Sequence, residues 1–222
     1  MSLRRITSLA ISVFLFASIA GIAESKTSAK APKEQSKKWA NVDGFRSAKF
    51  GMDEKRVMRA IAKDFKISSS KVKRAIHPTE RTTMLEITVP KLMQAGGTAK
   101  VAYVLGQKSK KLMMVNIVWG LGVTKNVNPE EVVAAANLLR SHFIKKRYEK
   151  DLLTANARIT DNLLIVFRGT DKKGRMILMT LTTTTPKEGE DKVEASKKMA
   201  LRLSYKLDPT SPDIFTIKEG EF

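Results

Sequence analysis

The sequence predicts an α+β fold of two similar units, each one or two helices packed on a three-stranded or larger antiparallel sheet. Apolar residues with helical spacing begin near residues 53 and 128, strand-like segments follow each of them, and a polar, lysine-rich turn joins two strands in both halves. Strands grouped behind a helix favour antiparallel sheets with helices on one face, because parallel pairing needs a long crossover between every two strands. The expected bounds are 44–122 and 123–208, with a C-terminal tail over 209–222.

Ahead of the units, Arg4 and Arg5 precede an apolar run from Leu9 to Ala23 that closes Ala20-Gly21-Ile22-Ala23. This is the layout of a secretory signal peptide over 1–23, with Gly21 and Ala23 at the small positions of a cleavage site. The run is shorter than the roughly 20 residues a membrane-spanning helix needs. The expectation is an exported, periplasmic or secreted chain that is not an integral membrane protein after cleavage. Residues 24–43, with Lys26, Lys30, Lys33, Lys37 and Lys38, read as a basic disordered leader, with Trp39 packing onto the domain edge.

In the first unit, Asp53 caps a helix whose Val57, Ala60, Ile61 and Phe65 make one apolar stripe. Ser70 is expected to cap a second, shorter helix through Ile76. Strands are expected at Thr83–Val89, where Leu85, Ile87 and Val89 alternate with polar neighbours, then at Ala99–Leu105 and Lys111–Trp119. Gly106 to Lys110 forms the turn of a hairpin between the last two.

The second unit repeats that order. Asn128-Pro129-Glu130-Glu131 combines a capping residue, proline at the first helical position and two carboxylates facing the positive end of the helix dipole. Val132, Val133, Ala136, Leu139 and Phe143 supply the expected stripe. Strands follow at Asn162–Arg168, Arg175–Thr184 and Lys198–Leu207, with Gly169 to Gly174 as a hairpin turn and Pro186–Ser196 as a charged loop.

Phe50-Gly51-Met52-Asp53-Glu54-Lys55-Arg56-Val57 resembles the Gly-Met-x-x-x-x-Val helix start of small envelope modules. These include the small lipoprotein of the outer-membrane β-barrel assembly machine and the tandem β-lactamase inhibitor protein. The resemblance implies a helical pair on an antiparallel sheet, twice over residues 44–208, and a noncatalytic protein-binding surface. This chain departs from that pattern in lacking a lipid-attachment cysteine and in having Val127-Asn128-Pro129 where the second unit would carry Gly-Met.

Composition narrows the chemistry. With no cysteine among 222 residues, disulfides and cysteine-based zinc sites are excluded. Only His77 and His142 exist, a whole unit apart, so no histidine metal centre or Ser-His-Asp triad is expected. Ser68-Ser69-Ser70-Lys71-Val72-Lys73 has the Ser-x-x-Lys spacing twice but lacks the companion motifs of penicillin-binding enzymes, and it reads as helix capping. Trp119-Gly120-Leu121-Gly122 reads as a connector, and the prolines beside Asp208 and Asp213 as turns. No cofactor and no metal are expected.

Charge remains as the signal. Lys+Arg number 41 against 22 Asp+Glu, a net +19, and loss of Arg4 and Arg5 with the signal leaves 39 against 22, or +17. Such a surface draws acidic proteins, phosphate backbones or lipid headgroups. The candidate binding residues are Lys108, Lys110 and Lys111 on one hairpin tip and Lys172, Lys173 and Arg175 on the other, forming a basic rim if the sheets lie side by side. The expected function is a non-enzymatic envelope protein that engages a protein partner through its sheet faces, with Met114, Asn116 and Val118 or Thr180, Thr182 and Thr184 in contact. A binder of anionic polymers or lipids is the alternative, and a hydrolase ranks third for want of a nucleophile and base.

Overall fold

Short backbone ribbons, helix caps and one long antiparallel ladder organise the chain. The computed structural model describes residues 37–184, 198–217 and 220–221, so the signal segment 1–23, the leader to residue 36 and the loop Pro186–Ser196 lie outside it. Gly44–Phe45 (β1) and Ala48–Lys49 (β2) pair as a two-stranded ribbon ahead of helix α1 (Glu54–Phe65). Asp53 is extended and its carboxylate accepts the Arg56 N–H at 2.9 Å, which satisfies one of the free donors of the first turn. Helix α2 (Pro129–Phe143) starts in the same manner, the Asn128 side chain accepting the N–H groups of Glu130 and Glu131 at 3.0 and 3.3 Å.

The strands are Lys73–Ile76 (β3), Thr83–Val89 (β4), Ala99–Leu105 (β5), Leu112–Gly120 (β6), Thr154–Thr160 (β7), Leu163–Thr170 (β8), Met176–Thr182 (β9) and Ala200–Lys206 (β10). They form one eight-stranded sheet in the order β3-β4-β5-β6-β10-β9-β8-β7, antiparallel throughout. Residues opposite one another in an antiparallel ladder share a face. Ile87, Val101, Ile117, Leu203, Met179 and Phe167 stand in one such row, all buried. Each fully buried side chain of that size contributes about 1.5–3 kcal/mol relative to exposure.

Both helices cover this face. Val57, Ala60 and Ile61 of α1 and Val132, Ala135, Ala136 and Phe143 of α2 join the same core, and Phe143 stacks on Phe167 at 5.5 Å. Val133, expected in the α2 stripe, is exposed; it lies about 100° round the helix from Val132, and Ala135 fills the inward position instead.

Three expectations are corrected. The second short helix is absent: Ser69–Lys71 makes a 3-10 helix without a side-chain cap, and β3 follows as an edge strand. Pairing with the open edge of β4 wins over a helix too short to nucleate, and it brings Lys73 opposite Glu86 while Arg74 pairs with Glu54 at 3.0 Å. Strand β7 was not expected, and neither was the β1–β2 ribbon. The residues on either side of 122/123 share one sheet, in which β6 pairs with β10, and the described residues belong to one compact unit, Ser36–Phe222. Finally, the end of the leader is ordered: Trp39 bridges to Arg147, Val42 is buried, and its N–H reaches the Asp171 carboxylate at 2.8 Å.

Candidate functional site

Among the described residues, the sheet's second face carries no helix. On it stand the alternate residues of each strand, and one row reads Glu86, Ala102, Asn116, Ser204, Leu178 and Arg168. A neighbouring row toward the hairpin tips reads Met84, Val104, Met114, Lys206 and Met176. Met114, Asn116 and Val118 thus share one face with Thr180 and Thr182, the two sets expected from sequence, whereas Thr184 lies past the end of β9. Ser204 donates its hydroxyl hydrogen to Asn116 Oδ1 at 2.6 Å, fixing a polar centre between methionines.

Cations predominate around that centre. Lys100 pairs with Glu86 at 3.5 Å, but Arg168, Arg202 and Lys206 have no ion-pair partner among the described residues. Burial pushes the Lys206 ammonium below its ordinary value, Arg202 adds to the shift, and Glu80 opposes it. A depression of about 410 Å³ lies here, its floor formed by Met84, Val104, Met114, Leu178 and Ser204.

The six candidate cations divide. Register places both hairpin tips at the same end of the sheet, because Thr170 lies opposite Met176, then Lys206, Met114 and Val104. Three strand spacings separate the tips, about 14 Å. Lys108, Lys110 and Lys173 are exposed there, and Lys111 lies 3.9 Å from Asp53. Lys172 and Arg147 clasp the Trp39 ring from 4.4 and 4.3 Å, which confirms Trp39 as an edge residue.

Arg175 departs from the expectation of a free surface cation. It is a structural ion pair with Asp171 at 2.7 Å, the carboxylate 1% exposed. Asp171 also accepts the N–H groups of Val42, Lys173 and Arg175. Burial pushes its carboxyl up, but Arg175 and those three donors outweigh burial and hold it below the ordinary carboxylate value. Beside it, burial and then the Asp171 charge push the Tyr148 phenol up to about 12.

Asp213, read from sequence as a turn residue, anchors the first tip. Its carboxylate accepts the N–H groups of Lys108 and Ser109 at 2.9 and 2.8 Å, and its carbonyl accepts that of Gln107. A side chain at Gly106 would run into this carboxylate, which accounts for glycine there. Farther along, Phe215 donates to the Glu80 carbonyl and stacks under Arg81 at 4.2 Å, so the segment after β10 crosses the tip end of the open face.

Both histidines and the serines near residue 69 have local roles. His77 Nδ1 accepts the Glu80 N–H at 3.0 Å, His142 packs edge-on against Phe143, and Ser68 bonds Ser70. Among the described residues no group of acids and histidines could hold a metal ion, and no helix is long and apolar enough to cross a membrane. Comparison with family models, curated proteins and solved structures finds no match to this chain.

Proposed function

We propose that this is an exported, non-enzymatic binding protein of the cell envelope that engages an acidic protein partner on the open face of its eight-stranded sheet. The observation that carries the reading is the composition of that face: methionines, valine and leucine at the centre, and Arg168, Arg202 and Lys206 without carboxylate partners among the described residues. Apolar groups supply affinity at an interface core, while surrounding charge selects the partner and speeds encounter. The exposed lysines at the two tips extend the same sign of charge along one end.

The sequence of elements also supports a tandem origin of the fold. A helix, a 3-10 helix and four strands occur twice, and the last strands of the two sets, β6 and β10, pair at the sheet centre. Joining two four-stranded halves this way makes one continuous face across all eight strands. Export follows from the expected signal segment 1–23, and a chain without cysteine folds independently of the redox state it meets.

The test is a pull-down from envelope extract with the chain beginning at Glu24, washed at low and then high salt. A stoichiometric protein surviving the high-salt wash, and lost with Met114→Arg, is the expected result. Recovery of only nucleic acid, lipid or mixed acidic proteins, all eluting with salt, would instead assign the function to the net charge.

A further inference from the structure

A second depression on the open face, about 510 Å³, lies between the tip ends of β8 and β9 and the segment Leu207 to Thr210. Arg168 and Lys173 line it together with the hydroxyl-bearing Thr170 and Thr210, and Met176 and Leu207 give it apolar walls. Arg168 Nε is buried and finds no acceptor among the described residues, an unmet donor of the sort that buried sites rarely leave. One acid, Asp208, also lines the cavity; its Oδ1 accepts the N–H groups of Thr210 and Ser211 and the Thr210 hydroxyl, closing its own turn, and its single charge stands against the two of Arg168 and Lys173.

We propose that this cavity receives the C-terminal residue of the protein partner, its terminal carboxylate on Arg168 and Lys173 and its apolar side chain against Met176 and Leu207. The inference rests on the open-face reading and names the chemistry of one contact within it. A guanidinium offers a planar fork that matches two carboxylate oxygens, and a lysine adds a point charge beside it. An Asp or Glu side chain would meet the cations yet leave the apolar walls bare; a C-terminal apolar residue presents both groups from one position.

Titration of the ¹⁵N-labelled chain from Glu24 with N-acetyl-leucine tests the site, read at the Arg168 Nε–H signal and the Met176 methyl. Saturable shifts at both are expected, with N-acetyl-leucinamide and inorganic phosphate each binding at least tenfold more weakly, and a pentapeptide with a free C-terminal leucine binding as tightly as the acid. Arg168→Met lowers affinity about 10- to 100-fold, and the exposed Lys173→Gln lowers it several-fold while leaving the rest of the spectrum in place. Equal binding of the amide would mean an apolar cavity only, equal binding of phosphate a bare anion site, and exclusion of the pentapeptide a site for free small acids; each overturns the proposal, as does absence of saturation. The titration uses no partner, so its failure with high-salt capture intact removes the cavity and leaves the open-face reading standing.

Discussion

Along the covered face Ile87, Val101, Ile117, Leu203, Met179 and Phe167 form an unbroken apolar row; one residue along each strand, Glu86, Ala102, Asn116, Ser204, Leu178 and Arg168 form the open row. The same backbone ladder carries both, so strand propensity and pairing cannot explain the difference. Helices α1 and α2 can bury only one side, and folding demands apolar, shape-matched residues there. On the other side the chain is released from that demand and carries methionine, amide and hydroxyl groups beside Arg168, Arg202 and Lys206, which have no ion-pair partner among the described residues.

Truncation separates the faces most sharply. Phe167→Ala is expected to cost about 3–5 kcal/mol, seen as a lower urea midpoint, whereas Asn116→Ala changes stability by less than about 1.5 kcal/mol. Equal costs would break the comparison. Next in size is Asp171→Asn, which strands the Arg175 charge and the Val42 N–H; about 3 kcal/mol is expected. The pH profile gives its sign. Because the folded carboxyl titrates below its ordinary value, the unfolded chain takes up the proton first, so its contribution is present above about pH 4 and lost as pH falls through the folded value. A wild-type acid transition no different from that of the variant would contradict this.

Smaller effects sharpen the picture of the tip end. Asp213→Ala removes two backbone hydrogen bonds to the first hairpin and is expected to cost about 1–2 kcal/mol, with faster amide exchange at Lys108 and Ser109. Unchanged protection there would mean that the C-terminal segment does not anchor the turn. Reversal of Lys108, Lys110 and Lys173 to Glu should leave stability within about 0.5 kcal/mol while slowing partner association and flattening its salt dependence. Stopped-flow rates that do not move would remove the basic rim.

Where burial imposes a period, the sequence is legible. Leu85, Ile87 and Val89 mark β4, Leu201 and Leu203 mark β10, and Asp53 and Asn128 mark the starts of both helices because a cap is a local hydrogen bond. Edge strands gave no such signal. All four residues of β3 are exposed, and β7 is mostly exposed and interrupted at Asn156, whose φ of 55° is accompanied by a hydrogen bond from Arg140 at 2.6 Å. Contacts between distant segments were equally silent: Asp171 meets Val42 and Asp213 meets Lys108 only after the sheet is built. The open-face cations were partly readable, since Arg202 and Lys206 alternate with Leu201, Leu203 and Tyr205, but Arg168 acquires its neighbours from β9 and the segment after β10.

The most direct measurement places a photo-crosslinking amino acid at Asn116 or Thr180 on the open face, and at Ala134 or Leu138 on the exposed side of α2, in chains expressed in the source cells. A single discrete adduct from Asn116 and Thr180, absent from the α2 positions, is the predicted result. Adducts from α2 alone, or from neither face, would contradict the assignment of the open face as the binding surface.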